Sequence, residues 1–272
     1  MKKLILCADD FAVHEAASSA ILQLAERGRI SATSAMVLSP RWAQDAAGLK
    51  PLRGSIDVGL HLDWTSEFAK QEGHGCSLAG AMLKAAVGGF DKRAARQVID
   101  DQLDRFEAHW QAAPDHVDGH QHVQQFAGIR EALVEALSQR YPGRRPYLRR
   151  SKTLQTDFKS RIISAMGAEA LGQLARACGI QASPLLSGVY DFSGDGALYA
   201  QRMTQWLSES PAGTIIMCHP AQQANAFDTI GRARVWEFNY LGGADFPLAL
   251  AQAGVELVRG GSYNSSREHA TD

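Results

Sequence analysis

The sequence is sparing with cysteine: Cys7, Cys76, Cys178 and Cys218 stand far apart, and no Cys-x-x-Cys pair occurs. That spacing supplies neither a disulfide framework nor a thiolate zinc site, and it predicts a reducing, cytoplasmic setting. Charge of one sign is not in excess either. The 28 basic residues nearly cancel the 29 acidic ones, so the chain lacks the electrostatic footprint of a binder of nucleic acid or of an anionic membrane. No apolar run reaches the length of a membrane span. The run behind Lys2 and Lys3 meets two aspartates directly after Ala8, and it reads as a first strand, not a secretory signal. Pro-rich or Ser-rich linkers, internal repeats and low-complexity segments are absent as well. The 45% of hydrophobic residues are ample for one sizeable core.

What the sequence has is alternation. Short apolar runs predict strands near residues 3–8, 32–38, 56–62, 115–120, 146–149, 186–190, 213–218 and 255–258. Stretches of helical period predict helices near 14–27, 41–48, 93–111, 127–139, 157–178, 197–208 and 244–253. Ile99, Leu103, Phe106 and Trp110 fall on one helical face, as do Ala17, Ile21 and Leu24, and Gly28 is placed to end its helix. Regular βα alternation without a linker points to an α/β chain forming a single domain over residues 1–272. The expected architecture is a closed or nearly closed (β/α) barrel, distorted, with seven or eight strands. Residues 66–92 and 219–240 read as long irregular insertions, each following the C-terminal end of a strand.

Those C-terminal ends converge on one face of such a barrel, and four of them carry unusual chemistry. The first ends in Asp9 and Asp10 ("LILCADDF"), the third in His61 and Asp63 ("GLHLD"), the fourth in Asp118, His120 and His122 ("HVDGHQHV"), the seventh in Cys218 and His219 ("MCHPA"). Two adjacent aspartates after a strand also suit a turn and a helix N-cap. The fourth stretch is harder to explain as packing, because extended alternation would put His116, Asp118, His120 and His122 on one side. His61, His120 and one carboxylate of the Asp pair would make a two-His, one-carboxylate set with positions left open for water and substrate. The other aspartate could then stay nearby as an ionised base.

These motifs, in this order, resemble those of the YdjC-like carbohydrate deacetylases, and they span residues 8–221. The resemblance implies a distorted (β/α) barrel that removes acetyl groups from N-acetylated sugars or oligosaccharides with one divalent metal ion. It further implies Asp10, His61 and His120 as ligands, Asp9 as general base and His219 as general acid. Magnesium is the ion the resemblance suggests, whereas two imidazoles suit zinc or another transition ion better. Two departures stand out: Ala12 occupies a position where the family commonly has glycine, and Gln124 one where it commonly has a third histidine.

Further candidates for substrate contact are Trp64, His122, Gln124, Arg149, Arg150, Asp228 and Glu237. Arg149 and Arg150 end the fifth strand, and one of the two should face the site. Cys218 and His219 cannot act as a Cys–His pair, since neighbours on a strand point to opposite sides. The competing readings are another metal-dependent barrel hydrolase, such as a phosphoesterase, and a sugar-binding homologue without catalysis. The one protein partner expected is a second copy of the chain, in a homodimer.

Overall fold

A computed structural model describes residues 1–155 and 157–263. The strands are β1 (Lys2–Phe11), β2 (Ala32–Ala35), β3 (Asp57–Leu62), β4 (His116–Gly119), β5 (Tyr147–Leu148), β6 (Leu186–Ser187), β7 (Ile215–Cys218) and β8 (Val255–Leu257). The helices are α1 (Glu15–Glu26), α2 (Trp42–Leu49), α3 (Glu67–Gln71), α4 (Leu78–Ala86), α5 (Lys92–Trp110), α6 (Ile129–Arg140), α7 (Phe158–Ala165), α8 (Ala168–Ala177), α9 (Gly196–Glu209), α10 (Gly231–Gly242) and α11 (Asp245–Gln252). Among the described residues no helix is long and apolar enough to cross a membrane.

All strand pairs are parallel, in the order β5-β4-β3-β2-β1-β7-β6. β8 sits off this path and pairs only with the start of β1, at Lys2–Leu4. The sheet curls until its two edges touch through single bridges, Leu148 to Ala182 and Thr153 to Leu186. The barrel is therefore distorted in the sense expected, with seven strands around it.

Strand alternation sorts the side chains. Leu4, Leu6 and Ala8 of β1, Val58, Leu60 and Leu62 of β3, and Ile216 and Cys218 of β7 join the large core between sheet and helices. There Trp42 stacks on Phe106 with ring centroids 5.5 Å apart. Ile5, Cys7, Ala32, Tyr147, Leu186, Ile215 and Met217 form a smaller cluster inside the barrel. With a period of two, Asp9, His61, Asp118, Arg149 and His219 continue the inward-facing rows.

The structure corrects the reading of the insertions. Residues 66–92 hold α3 and α4, each opened by a serine N-cap, Ser66 and Ser77, and 219–240 contains most of α10. The helix expected over 157–178 is two helices broken at Gly167, whose φ is +123° and where a Cβ would lie 2.2 Å from the Gln125 carbonyl oxygen. The fourth strand stops at Gly119, and residues 120–125 form a 3-10 turn with Gln121 and His122 in left-handed backbone. His120 and His122 thus leave the strand row that His116 and Asp118 occupy.

Candidate active site

The two adjacent aspartates reach one site because β1 is irregular where it ends. Its pairing with β2 shifts register between Ala8 and Phe11, and Asp10 takes φ +64°, a left-handed conformation that aspartate tolerates better than most residues. Asp9 faces inward by strand alternation, and the kink turns Asp10 toward the same space. Ala12 also has positive φ, +73°, which accounts for a preference for glycine at this position.

Asp9 is gripped by Arg149, with Nη1 to Oδ1 at 2.6 Å and Nη2 to Oδ2 at 2.8 Å. The same Nη1 lies 3.0 Å from Oδ2 of Asp118. Arg149 has no solvent exposure. Burial, the largest single influence, would raise both carboxyls, but Arg149 and His61 together outweigh it, holding Asp9 below and Asp118 well below the usual carboxylate range. Ser34 on β2 adds a donated hydrogen bond to Asp9 at 3.2 Å.

Asp118 in turn orients His61. Its Oδ1 stands 2.6 Å from Nδ1 of His61, which leaves Nε2 directed at Oδ1 of Asp10, 3.3 Å away. Nδ1 of His120 approaches that same oxygen at 3.2 Å. Burial would lower the His61 imidazole, yet Asp118, Asp10 and Asp9 together raise it to about 10. The other oxygen of Asp10 accepts from Nη2 of Arg234 at 2.7 Å, and Nε of Arg234 bonds Asp228 at 2.5 Å. Burial notwithstanding, Arg234 and His120 keep Asp10 well below the usual range.

Asp10, His61 and His120 each offer a ligand atom, and the three atoms lie within 4.8 Å of one another. The set fits a divalent cation. Its donors are two imidazoles and one carboxylate, and a carboxylate behind His61 fixes the ring as metal-binding histidines require.

His219 stands on the opposite side of Asp9, with Nε2 3.8 Å from Oδ2. Its Nδ1 is buried without a hydrogen-bond partner, its ring meets Phe192 edge to face at 5.3 Å, and its backbone N–H donates to Glu237. Burial, reinforced by Arg234, lowers the imidazole to about 4, so it is neutral at pH 7. Glu237 also accepts from the Tyr190 hydroxyl at 2.6 Å, and burial pushes its carboxyl up to about 7.

A cavity of about 780 Å³ opens over Asp9, Asp10, His61, His120 and His219, and His122, Arg149 and Asp228 line it too. Four other candidates lie outside it. Trp64 is 2% exposed and packs on Phe90 and His74. Gln124 is buried, donating to the Arg149 carbonyl and to Ser151, so it braces β5 where a ligand or substrate contact was expected. Arg150 turns outward to the Pro184 carbonyl and Glu169, as alternation next to an inward Arg149 demands. Glu237 sits behind His219 and takes no place in the lining. The sequence reading missed Ser34 and Arg234. Ser34 was legible as an inward position near the end of β2, whereas Arg234 fell in a stretch assigned no helix.

A parallel curled barrel with a two-His, one-carboxylate cluster at its strand ends defines the class of protein. Residues 3–252 match the family model described as YdjC-like protein, and the chain belongs to that family. It is 27% identical over 233 residues to a chitooligosaccharide deacetylase of Serratia marcescens, covering 81% of this chain and 82% of that one. It is 28% identical over 147 residues to a carbohydrate deacetylase of Mus musculus, covering 50% of this chain and 47% of the relative. The match thus spans about half the length of the mouse protein. Among solved structures, an Enterococcus faecalis protein named for cellobiose-phosphate cleavage superposes with TM-score 0.71 at 20% identity, over 96% of this chain and 98% of that one. A family 4 acetyl xylan esterase from Clostridium thermocellum, in complex with a cobalt ion, superposes with TM-score 0.53 at 10% identity, over 98% and 92%. Both likenesses are of fold.

Proposed function

We propose that the chain is a carbohydrate N-deacetylase, which hydrolyses the acetamide of an N-acetylated sugar. The observation that carries this is one cavity in which Asp9 and His219 flank the Asp10–His61–His120 set. A divalent cation held by those three residues would make a water acidic and polarise the acetamide carbonyl. Zinc or a similar transition ion suits the donors, while magnesium follows from the family resemblance.

The chain's own residues handle the protons. Asp9, kept ionised by Arg149, is ready to accept one from the attacking water. Its acid form, being strong, does not retain that proton, and Nε2 of His219 is 3.8 Å away to receive it. A neutral His219 gains proton affinity as negative charge develops on the substrate, then donates to the leaving amine; without that step the intermediate returns to amide. Among the described residues two other groups lie close enough for an ion, Asp9–His61–Asp118 and Cys7–His116–Asp118, and both draw on Asp118, whose two oxygens are already engaged by Nδ1 of His61 and Nη1 of Arg149, whereas Oδ1 of Asp10 faces only the two imidazoles of its own set. That supports a one-cation hydrolase over a two-metal phosphoesterase.

The test is a screen for acetate release from N-acetyl sugars with Mg²⁺, Zn²⁺, Co²⁺ and Mn²⁺. Activity lost to a chelator and restored by one of the ions is expected. Phosphate release from sugar phosphates without acetate release from any amide would replace this reading.

A further inference from the structure

One imidazole of the cavity takes no part in the proton transfers above, yet its surroundings fix where its own proton lies. His122 lines the cavity with Asp9 and His219. It stands in the turn after β4, where Gln121 at φ +53° and His122 at φ +65° are both left-handed, a conformation that residues with a Cβ adopt only at a cost. Two such residues in succession, at a strand end that carries the site, mark the turn as one kept for what it presents. Behind the ring is Ser151, whose Oγ is 3.0 Å from Nδ1. Behind Ser151 is Gln124, whose Nε2 is 3.1 Å from that Oγ and 3.0 Å from the Arg149 carbonyl oxygen.

Each proton along this path is placed by the acceptors present. The Arg149 carbonyl only accepts, so the Gln124 amide turns its NH₂ toward it, and the second N–H of that group points to Ser151 Oγ. Ser151 is fully buried, and among the described residues its hydroxyl has no acceptor other than Nδ1 of His122. Were Nδ1 protonated, the Ser151 hydroxyl hydrogen would be left buried and unpaired, which is costly. Nδ1 therefore accepts, the ring is neutral, and its one proton is on Nε2, the nitrogen left to the cavity. Gln124, where the family commonly has histidine, thus reads a backbone carbonyl and sets a ring.

We propose that His122 is a catalytic residue whose Nε2–H donates to the acetyl carbonyl oxygen of the substrate, and that Gln124 and Ser151 are positioning residues that hold it in that form. The proposal rests on the deacetylase reading and adds a donor to it. A sugar hydroxyl both gives and takes hydrogen bonds, whereas the acetyl oxygen only takes them and gains negative charge as water adds. A group locked as a donor is matched to that oxygen.

Two measurements test it. In ring-nitrogen NMR of ¹⁵N-histidine-labelled protein loaded with Mg²⁺ or Zn²⁺, with His122 assigned by its loss in His122→Asn, the wild type should show Nε2 protonated and Nδ1 bare. Ser151→Ala, which removes one buried oxygen and leaves the turn alone, should give a mixture of both tautomers and a lower kcat. In acetate release, His122→Asn suits left-handed backbone, keeps an amide for Ser151 and falls short of the Nε2 position. Its kcat should drop about a hundredfold, the scale of one lost donor to a developing oxyanion, with KM unchanged and ion binding retained in calorimetry. His122→Gln carries an amide N–H to where Nε2–H stood and should recover most of the loss.

A wild-type ring protonated at Nδ1, full kcat in His122→Asn, or a rise in KM alone, which would put Nε2 on a sugar hydroxyl, each overturns the proposal and leaves the deacetylase standing. Loss of the ion in His122→Asn overturns it too, since the ring would then be a ligand. If no N-acetyl sugar yields acetate with any ion, the deacetylase reading falls and the acetyl carbonyl with it, while the ring-nitrogen spectrum still decides whether Gln124 and Ser151 fix a donor.

Discussion

Arg149 holds two carboxylates of the site at once. It is fully buried, bidentate to Asp9 and in contact with Asp118, so two carboxylates depend on one guanidinium for charge balance. Arg149→Met keeps the bulk and strips the charge; loss of a buried partner of this kind costs about 3–5 kcal/mol, and urea denaturation should register it. A loss below 1 kcal/mol would mean that water reaches Asp9 and Asp118. The adjacent aspartates are expected to separate by phenotype. Asp10→Ala and His61→Ala should abolish binding of the divalent ion in titration calorimetry. Asp9→Asn should retain the ion and lose turnover by about a hundredfold or more, the scale of a missing general base. Full activity in Asp9→Asn would falsify its assignment as base.

At the scale of elements, α10 does what no strand end could. It carries Arg234 to Asp10 and Glu237 to the backbone of His219. It was not legible in the sequence because it begins and ends in glycine and has no side-chain N-cap. The missed α3 and α4 do have serine caps, but they are short. Strands and long helices, by contrast, were legible from period alone: α5 buries Ile99, Leu103, Phe106 and Trp110 along one stripe. That helix ends at Gln111, exposed and left-handed at φ +59°. Gln111→Gly should therefore stabilise the protein by about 0.5–1 kcal/mol in chemical denaturation. Glu237 gives α10 a pH signature. Its carboxyl is raised from an ordinary 4.5 to about 7, so the folded state holds the proton more tightly than the unfolded chain. Its contribution to stability is complete below pH 4.5 and disappears as pH rises through 7. Glu237→Gln cannot ionise, so relative to wild type it should gain on the order of 3 kcal/mol between pH 4.5 and pH 8. The difference isolates Glu237 from His219 and His61, which titrate in both proteins. A constant difference across that range would show that water reaches the carboxylate.

For the molecule as a whole, the alternation that made the barrel readable also made most of the site readable. One inward row per strand delivers Asp9, His61, Asp118, Arg149 and His219 to a common centre, and sequence periodicity displays those rows directly. What it could not display was departure from the period. Asp10 reaches the site through a left-handed kink, and His120 through a 3-10 turn after the strand has ended; a strictly extended reading would have turned Asp10 away. The three candidate ligands therefore come from the ends of β1 and β3 and from the turn after β4, and a cation would join segments that are 110 residues apart at the extremes. The barrel edges meet only through isolated bridges, so a cross-link of this kind should be felt globally. At a free ion concentration one hundred times the dissociation constant, binding to the folded state alone adds about 2.7 kcal/mol, which for a chain of this size is a rise in Tm of about 5 °C. Calorimetric scans of chelator-treated protein with and without the ion should show that rise in the wild type and in Asp9→Asn, and lose it in Asp10→Asn. A shift that survives Asp10→Asn would place the stabilising ion elsewhere in the molecule.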